Sequence, residues 1–385
     1  MNETRTTRVY AWLTGQEDNI GDSALRRPYA AALATTEPVH VWAGRPDRGY
    51  VSGLRLPRNS HLAPTFARWC RSFVSSVLTG RTVFAFNAGE FVPTKAYVTG
   101  VALLLPWIAL AKARGGAVIW VGAGVRSTRR GLTWPFVVLL RLADIALWRD
   151  VESASVLRPA PTMPDWAFGL PRGGGLSEID DSSHQDDERT MIAISLRGDR
   201  PYPSAEWIES VRELGKRLSL DLVVTVQVER DDATAHNLAK DLGAQLVSWT
   251  HDRHDEQEIL LRAVYAKSRI VLSDRLHALV IAATEGAAPI GWCEHATTKV
   301  DRHFAVLGLD WVSANGRPAI ALLNELTDLR LQELAEAAGA GLDRARAEIR
   351  KVSTSIGNVV QAGPVDGAMS GSPARLSDGE QGQPL

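Results

Sequence analysis

The sequence predicts an α/β protein made of two Rossmann-like, doubly wound units facing each other across a cleft. Three observations carry this reading. Short β-branched runs alternate with helical stretches through both halves, which is the pattern of parallel sheets wrapped on both faces. The alternation breaks near residue 165, where "PAPTMPDWAFGLPRGGGLSEIDDSSHQDDE" replaces apolar periodicity with Pro, Gly and acidic residues. Finally, 385 residues exceed one ordinary core at about 150 residues per domain.

In order, "RVYAWL" is a strand, "TGQEDNIGDSALRRPYAAALA" a loop and helix, and "PVHVWAG", "TVFAFNAG" and "AVIWVGAG" are further strands. "IALWRDVESASVL" adds a strand and the start of a helix. The first unit is expected over 1–166 and a linker over 167–189. A second unit over 190–316 alternates "MIAISLRG", "SAEWIESVRELGKRL", "DLVVTVQV", "ATAHNLAKDLG", "QLVSW", "DEQEILLRAVYAKS", "RIVLSD", the helix that follows and "APIGW". Polar-faced helices are expected over 317–352, and the Gly-, Ser- and Pro-rich 353–385 as a disordered tail.

The formal net charge of −1 hides an asymmetry. Residues 1–170 hold 20 Lys+Arg against 11 Asp+Glu, and the rest hold 23 against 33, so the front is about +9 and the back about −10. A basic front favours an anionic substrate, nucleic acid or an anionic membrane surface. Cys70 and Cys293 stand far apart with no CxxC, which argues against a zinc site or a disulfide scaffold and fits a reducing cytoplasm. The opening "MNETRTTRVYAWLTG" does not read as a signal peptide. "VTGVALLLPWIALAKA" (98–113) is short for a spanning helix and contains Pro106, so it reads as a core helix or as a patch resting on a bilayer with Trp107 as anchor.

In tandem parallel units, ligands bind where strands end and helix N-termini point into the cleft. Four loops qualify. In "SDRLHAL", Ser273 or Asp274 caps a helix whose first turn carries Arg275 and His277, suited to gripping a small anion and donating a proton to it. In "SLRGDRP", Arg197 ends a strand with Arg200 close behind. In "DNIGDSAL", Gly21 admits close backbone approach, and Asp22 caps the helix or accepts a hydroxyl proton. "FNAGEFV" places Asn87 and Glu90 at another strand end. "VGAGVRS" lacks the third glycine of a dinucleotide fingerprint, and neither a phosphate-binding G-x-x-x-x-G-K-[ST] loop nor a G-x-S-x-G elbow occurs. "WTHDRHDEQE" lacks the helical spacing of a metal site.

These residues resemble the polysaccharide pyruvyl transferases, from "NIGDSAL" through "WRDVESASVL", "MPDWAFGL", "ISLRG" and "VQVERDD" to "SDRLHALVIAATEGAAPIGW" and "TTKVDRHFAVLGL". The Arg275-Leu276-His277 triplet before an apolar helix, a glycine and a strand is the most specific part, and Lys299 with Gly308-Leu309 strengthens it. The resemblance implies a GT-B-like arrangement and transfer of pyruvate from phosphoenolpyruvate to a sugar of a cell-envelope or extracellular polysaccharide precursor, as a ketal with release of phosphate. It implies a donor site of Arg275, His277, Arg197 and Lys299 on the second unit, with Ser273 beside them. By position alone, Gly21, Asp22, Asn87 and Glu90 are expected on the acceptor side, with Asp22 or Glu90 as base. Where relatives often carry a run of glycines, this chain reads Asn87-Ala88-Gly89-Glu90. The expected partners are phosphoenolpyruvate and a glycan or lipid-linked glycan, with no cofactor, metal or nucleic acid, in the cytoplasm or at the inner membrane face. Two alternatives stay open: a nucleotide-sugar glycosyltransferase of the same fold, and a silent glycan-binding protein.

Overall fold

The computed structural model describes residues 7–34, 37–45, 49–125, 132–175, 189–250, 252–295 and 298–362. The first unit contains β1 (Thr7–Trp12), α1 (Ile20–Leu33), β2 (Val39–Trp42), α2 (Gly49–Leu54), β3 (His61–Leu62), α3 (Phe66–Thr79), β4 (Arg81–Ala85), β5 (Gly89–Phe91), α4 (Lys95–Ala113), β6 (Ala117–Val125), α5 (Trp134–Leu142), β7 (Ile145–Trp148) and α6 (Val151–Val156). Its sheet runs β3-β2-β1-β4-β6-β5, with β7 also on β6, and every pairing is parallel. Alternate residues of β1 serve opposite cores. Tyr10 and Trp12 pack outward with Trp69, Phe84 and Phe136, while Val9 and Ala11 pack inward with Leu25 and Tyr29. A strand buried on both faces therefore reads as the continuous apolar run seen in the sequence.

The second unit contains β8 (Met191–Ser195), α7 (Ala205–Leu218), β9 (Asp221–Thr225), α8 (Asp232–Leu242), β10 (Gln245–Val247), α9 (His254–Ala266), β11 (Ser268–Ser273), α10 (Leu276–Thr284), β12 (Ala288–Ile290) and α11 (Thr298–Ala305). Its parallel sheet runs β10-β9-β8-β11-β12. The order reverses between β8 and β11, so the loops carrying Arg197 and Arg275 flank the switch point where α/β sheets bind ligands.

Three expectations change. The linker region is not a free tether in its described part, because Trp166, Ala167, Phe168 and Leu170 are buried in the core beneath the first sheet. The Pro- and Gly-rich composition hid those aromatic anchors, and 176–188 lie outside the described residues. The "FNAGEFV" loop includes strand β5, and "VGAGV" lies inside β6 rather than after it. The terminal helices are α12 (Ala319–Glu325) and α13 (Asp328–Gln361), so α13 runs past the expected end at 352. Within that extension the Ser353, Thr354 and Ser355 hydroxyls each bond the carbonyl four residues back. Ile356 and Val360 are buried against the first unit, where Arg81 donates to the carbonyls of Val359 and Val360. The rest of the expected tail, 363–385, lies outside the described residues.

The units are stapled together. Ile20 opens α1 yet packs with Ala193, Val271 and Ala278 of the second unit. The Glu229 amide donates to Asp18 O at 2.8 Å, and Gln227 Nε2 donates to Asn19 Oδ1 at 2.6 Å. Behind them lies a buried ionic chain in which Arg27 pairs with Glu258, Glu258 with Arg262 at 2.7 Å, and Arg262 with Glu285.

Candidate active site

A cavity of about 380 Å³ opens between the units, and it gathers most of the expected side chains. His277, Arg275, Arg197 and Lys299 line it from the second unit, and Asp22 and Glu90 from the first. Ser273, Gly21 and Asn87 do not line it. The Ser273 hydroxyl is buried and holds the turn, donating to Ser195 O and accepting from the Arg275 amide at 2.9 Å. Asn87 is a strut: its Oδ1 accepts from Arg26 Nε at 2.7 Å and its Nδ2 donates to Thr14 O at 2.8 Å. The expected helix caps also move. Asn19 caps α1 by accepting from the Gly21 amide, and Arg275 occupies the N-cap position of α10 without a side-chain cap.

Gly21 serves the imidazole rather than a ligand. A Cβ at that position would lie 2.3 Å from His277 Nδ1, so only a glycine lets the first turn of α1 meet the ring. Gly21→Ala is expected to displace the imidazole and lower turnover at least tenfold, since small misplacements at a reacting centre are costly. Ligand affinity should change much less. Equal losses in turnover and affinity would speak against this placement.

Beneath His277 lies a carboxylate that the sequence reading passed over. Asp165 Oδ2 is 3.8 Å from His277 Nε2, an ion-pair distance beyond hydrogen-bond reach, and 3.1 Å from Arg149 Nη1. Asp165 Oδ1 accepts from the Ala167 amide at 3.0 Å. Burial alone would raise the Asp165 carboxyl, but His277, Arg149 and the nearby His303 hold it well below the usual carboxylate range. It is a fixed anion under the imidazole. Arg149 Nε and His277 Nε2 are buried and find no hydrogen-bond partner among the described residues.

Arg149 also reaches Glu90 at 3.2 Å, and Glu90 takes Lys299 Nζ at 2.5 Å across the units. Lys299 keeps a third of its side chain exposed in the cleft mouth (34%). Burial and the Arg149 charge lower its pKa, with Glu90 only partly opposing them. Glu90, expected as a possible base, is thus a counter-ion to two cations. Gly124 makes room for Arg149, because a Cβ there would stand 2.6 Å from its Nε. The cue to Arg149 was its place directly after strand β7, in "IALWRD".

The expected guanidinium clamp has partners of its own. Arg275 forks onto Asp231 through Nε at 2.7 Å and Nη2 at 2.5 Å, leaving Nη1 as the donor that Asp231 does not engage. Asp231 is buried and also accepts from the Gly198 amide at 2.8 Å. Arg197 forks onto the exposed Asp199 at 2.7 and 2.6 Å, pulling its carboxyl down to about 2. Arg200, the weaker candidate by sequence, lines the cavity with no carboxylate partner among the described residues. Asp22 is partly exposed and accepts from the Gln16 amide at 2.8 Å. In the doubtful "WTHDRHDEQE" stretch, His254 is structural: Nδ1 meets Ser23 Oγ at 2.9 Å and Nε2 meets Glu17 O at 2.7 Å. His251 lies outside the described residues. Among the described residues, no group of three His, Cys, Asp or Glu could hold a metal ion.

Two parallel units, a shared cleft at their strand ends and a final helix returning to the first unit define a GT-B-type enzyme. Solved structures agree on the fold. MnaA of S. aureus, solved with UDP, is 14% identical over 94% of this chain and 100% of its own, with a TM-score of 0.54. UDP-GlcNAc 2-epimerase from Neisseria meningitidis, bound to UDP-GlcNAc, is 12% identical over 92% and 99%, with a TM-score of 0.56. UDP-GlcNAc 2-epimerase from Methanocaldococcus jannaschii is 11% identical over 90% and 99%, with a TM-score of 0.50. No curated protein matches the sequence. The profile of the polysaccharide pyruvyl transferase family matches residues 96–291, and the chain belongs to that family of transferases.

Proposed function

We propose that the protein transfers a pyruvyl group from phosphoenolpyruvate to two hydroxyls of one sugar in a polysaccharide precursor, forming a ketal and releasing phosphate. The observation that carries this reading is the meeting of His277, Lys299, Arg149, Arg275 and Arg200 in one small cavity. Phosphoenolpyruvate bears a carboxylate and a phosphate on one compact frame and needs clustered cations rather than an extended groove. A nucleotide sugar, which the similar epimerases bind, needs a platform for its base. Among the described residues that line this cavity there is no Phe, Tyr or Trp.

In the proposed reaction His277 delivers a proton to the methylene carbon, leaving positive character at C2. A sugar hydroxyl adds at C2 and loses its proton to Asp22, whose carboxylate is less committed than that of Glu90. Phosphate then departs and the second hydroxyl takes its place, closing the ketal. One hydroxyl proton makes good the one given to carbon, and the other leaves with phosphate. Arg149, Lys299 and Arg200 balance the anionic charge of the donor, and no resident cofactor is required.

The test is a thermal shift with each donor, followed by phosphate release with glycan acceptors. Phosphoenolpyruvate is expected to stabilise the protein and UDP-GlcNAc to leave it unchanged. Stabilisation by UDP-GlcNAc without any by phosphoenolpyruvate would overturn the reading.

A further inference from the structure

The outer layer of the first unit has an unusual surface. α4 lies between α3 and α5 on the far side of the sheet from α1, and it is long and apolar enough by composition to cross a bilayer. It does not need to cross one. Gly100, Val101, Leu104, Leu105, Ile108 and Ala111 face the aromatic core, so that half of the helix is already committed to the fold. The opposite stripe contains Thr99, Ala102, Leu103, Pro106, Ala109 and Leu110, at helical spacing and partly or fully exposed. No charged residue occurs in α4 between Lys95 and Lys112. Leu103 is 66% exposed, and Trp134 at the start of the adjoining α5 is 53% exposed. A surface helix of a water-facing protein normally carries its charges on this side.

The charges carried by the three outer helices themselves have one sign, with Lys112 paired to Asp144 just beyond α5. α3 contributes Arg68 and Arg71, α4 Lys95 and Lys112, and α5 Arg141, and the three helices contain no Asp or Glu. By contrast α7 of the second unit mixes Glu206, Glu209 and Glu213 with Arg212, Lys216 and Arg217. An apolar stripe rimmed by cations fits the boundary between anionic headgroups and acyl chains. A second copy of this face would bring cations against cations.

We infer that the α3–α4–α5 face docks on an anionic bilayer, with the α4 stripe lying in the interface. The docking face also leads to the cavity. Val92, three residues before α4, lines the cavity, and Tyr97 in the first turn of α4 bonds Thr14 Oγ1 at 2.6 Å. A glycan carried on a lipid would therefore present its sugar near the cavity while its anchor stays in the membrane. The docking itself does not rest on the pyruvyl-transfer reading, because it is measured on vesicles without turnover.

The experiment is co-sedimentation of the full chain with phosphatidylglycerol–phosphatidylcholine vesicles and with phosphatidylcholine vesicles. Binding is expected to the anionic vesicles, to weaken as salt rises, and to be much poorer on the neutral ones. Leu103→Glu, at an exposed position, should lower binding at least tenfold. Arg68→Gln with Arg71→Gln should lower it roughly twenty-five-fold, at about fivefold per cation. Unchanged thermal melting shows that each variant folds. No vesicle binding, binding that ignores lipid charge, or variants that bind as the parent does would overturn the inference. So would concentration-dependent dimerisation lost in Leu103→Glu in the absence of vesicle binding, which would assign the face to a second copy.

Discussion

His277→Asn is expected to lower phosphate release from phosphoenolpyruvate by about 10²- to 10⁴-fold, the usual worth of a positioned general acid. The amide keeps much of the shape and polarity of the ring but cannot deliver a proton to carbon, so donor binding should survive within a few-fold. Asp165→Asn separates the proposed proton donor from its support. The isosteric amide keeps packing beneath the imidazole while removing the anion that faces Nε2 at 3.8 Å. With the anion facing the imidazole removed, turnover near neutrality should fall while donor affinity changes little. A purely structural Asp165 would lower folding stability and leave the turnover of the folded variant unchanged. His277→Asn with near-normal turnover would remove the acid role altogether.

Most of the architecture was legible because parallel strands buried on both faces leave long apolar runs, and the rule that ligands meet strand ends pointed to Arg197, Arg275, His277 and Asp22. What the sequence could not supply was pairing. Asp231 sits 44 positions before Arg275, and Asp165 lies 112 positions before His277. Nothing local announces that either carboxylate meets a cation or an imidazole across the fold. The same blindness made Ser273 and Asn87 look available, although one hydroxyl and one amide are fully occupied by backbone and Arg26. Arg149 was overlooked although it obeys the strand-end rule, because its neighbours in "WRDVESASVL" read first as a helix start.

Glu258→Ala is expected to cost about 3–5 kcal/mol of folding stability, the usual result of removing one member of a buried ionic cluster. Glu258 is fully buried between Arg27 and Arg262, so its removal would strip Arg27 of its carboxylate and leave Arg262 with Glu285 alone. Burial alone would raise the Glu258 carboxyl, but the two arginines hold it below its ordinary value, so it stays an anion in place. The cluster also fixes backbone, for Arg27 donates to Gly53 O at 2.9 Å and Gly174 O at 2.6 Å, while Glu285 accepts from the Gly173 amide at 3.1 Å. Lys112→Ala gives the contrast, since its pair with Asp144 is about one-third exposed on each side and should be worth about 0–1 kcal/mol. Urea unfolding of the three proteins checks both figures, and equal effects would deny the cluster its special weight. Because Arg27 belongs to α1 and Glu258 to α9, its loss should also loosen the register between the units. Turnover should then fall further than Lys112→Ala lowers it, even at temperatures where the variant remains folded, because Asp22 and His277 approach the cavity from opposite units and depend on that register.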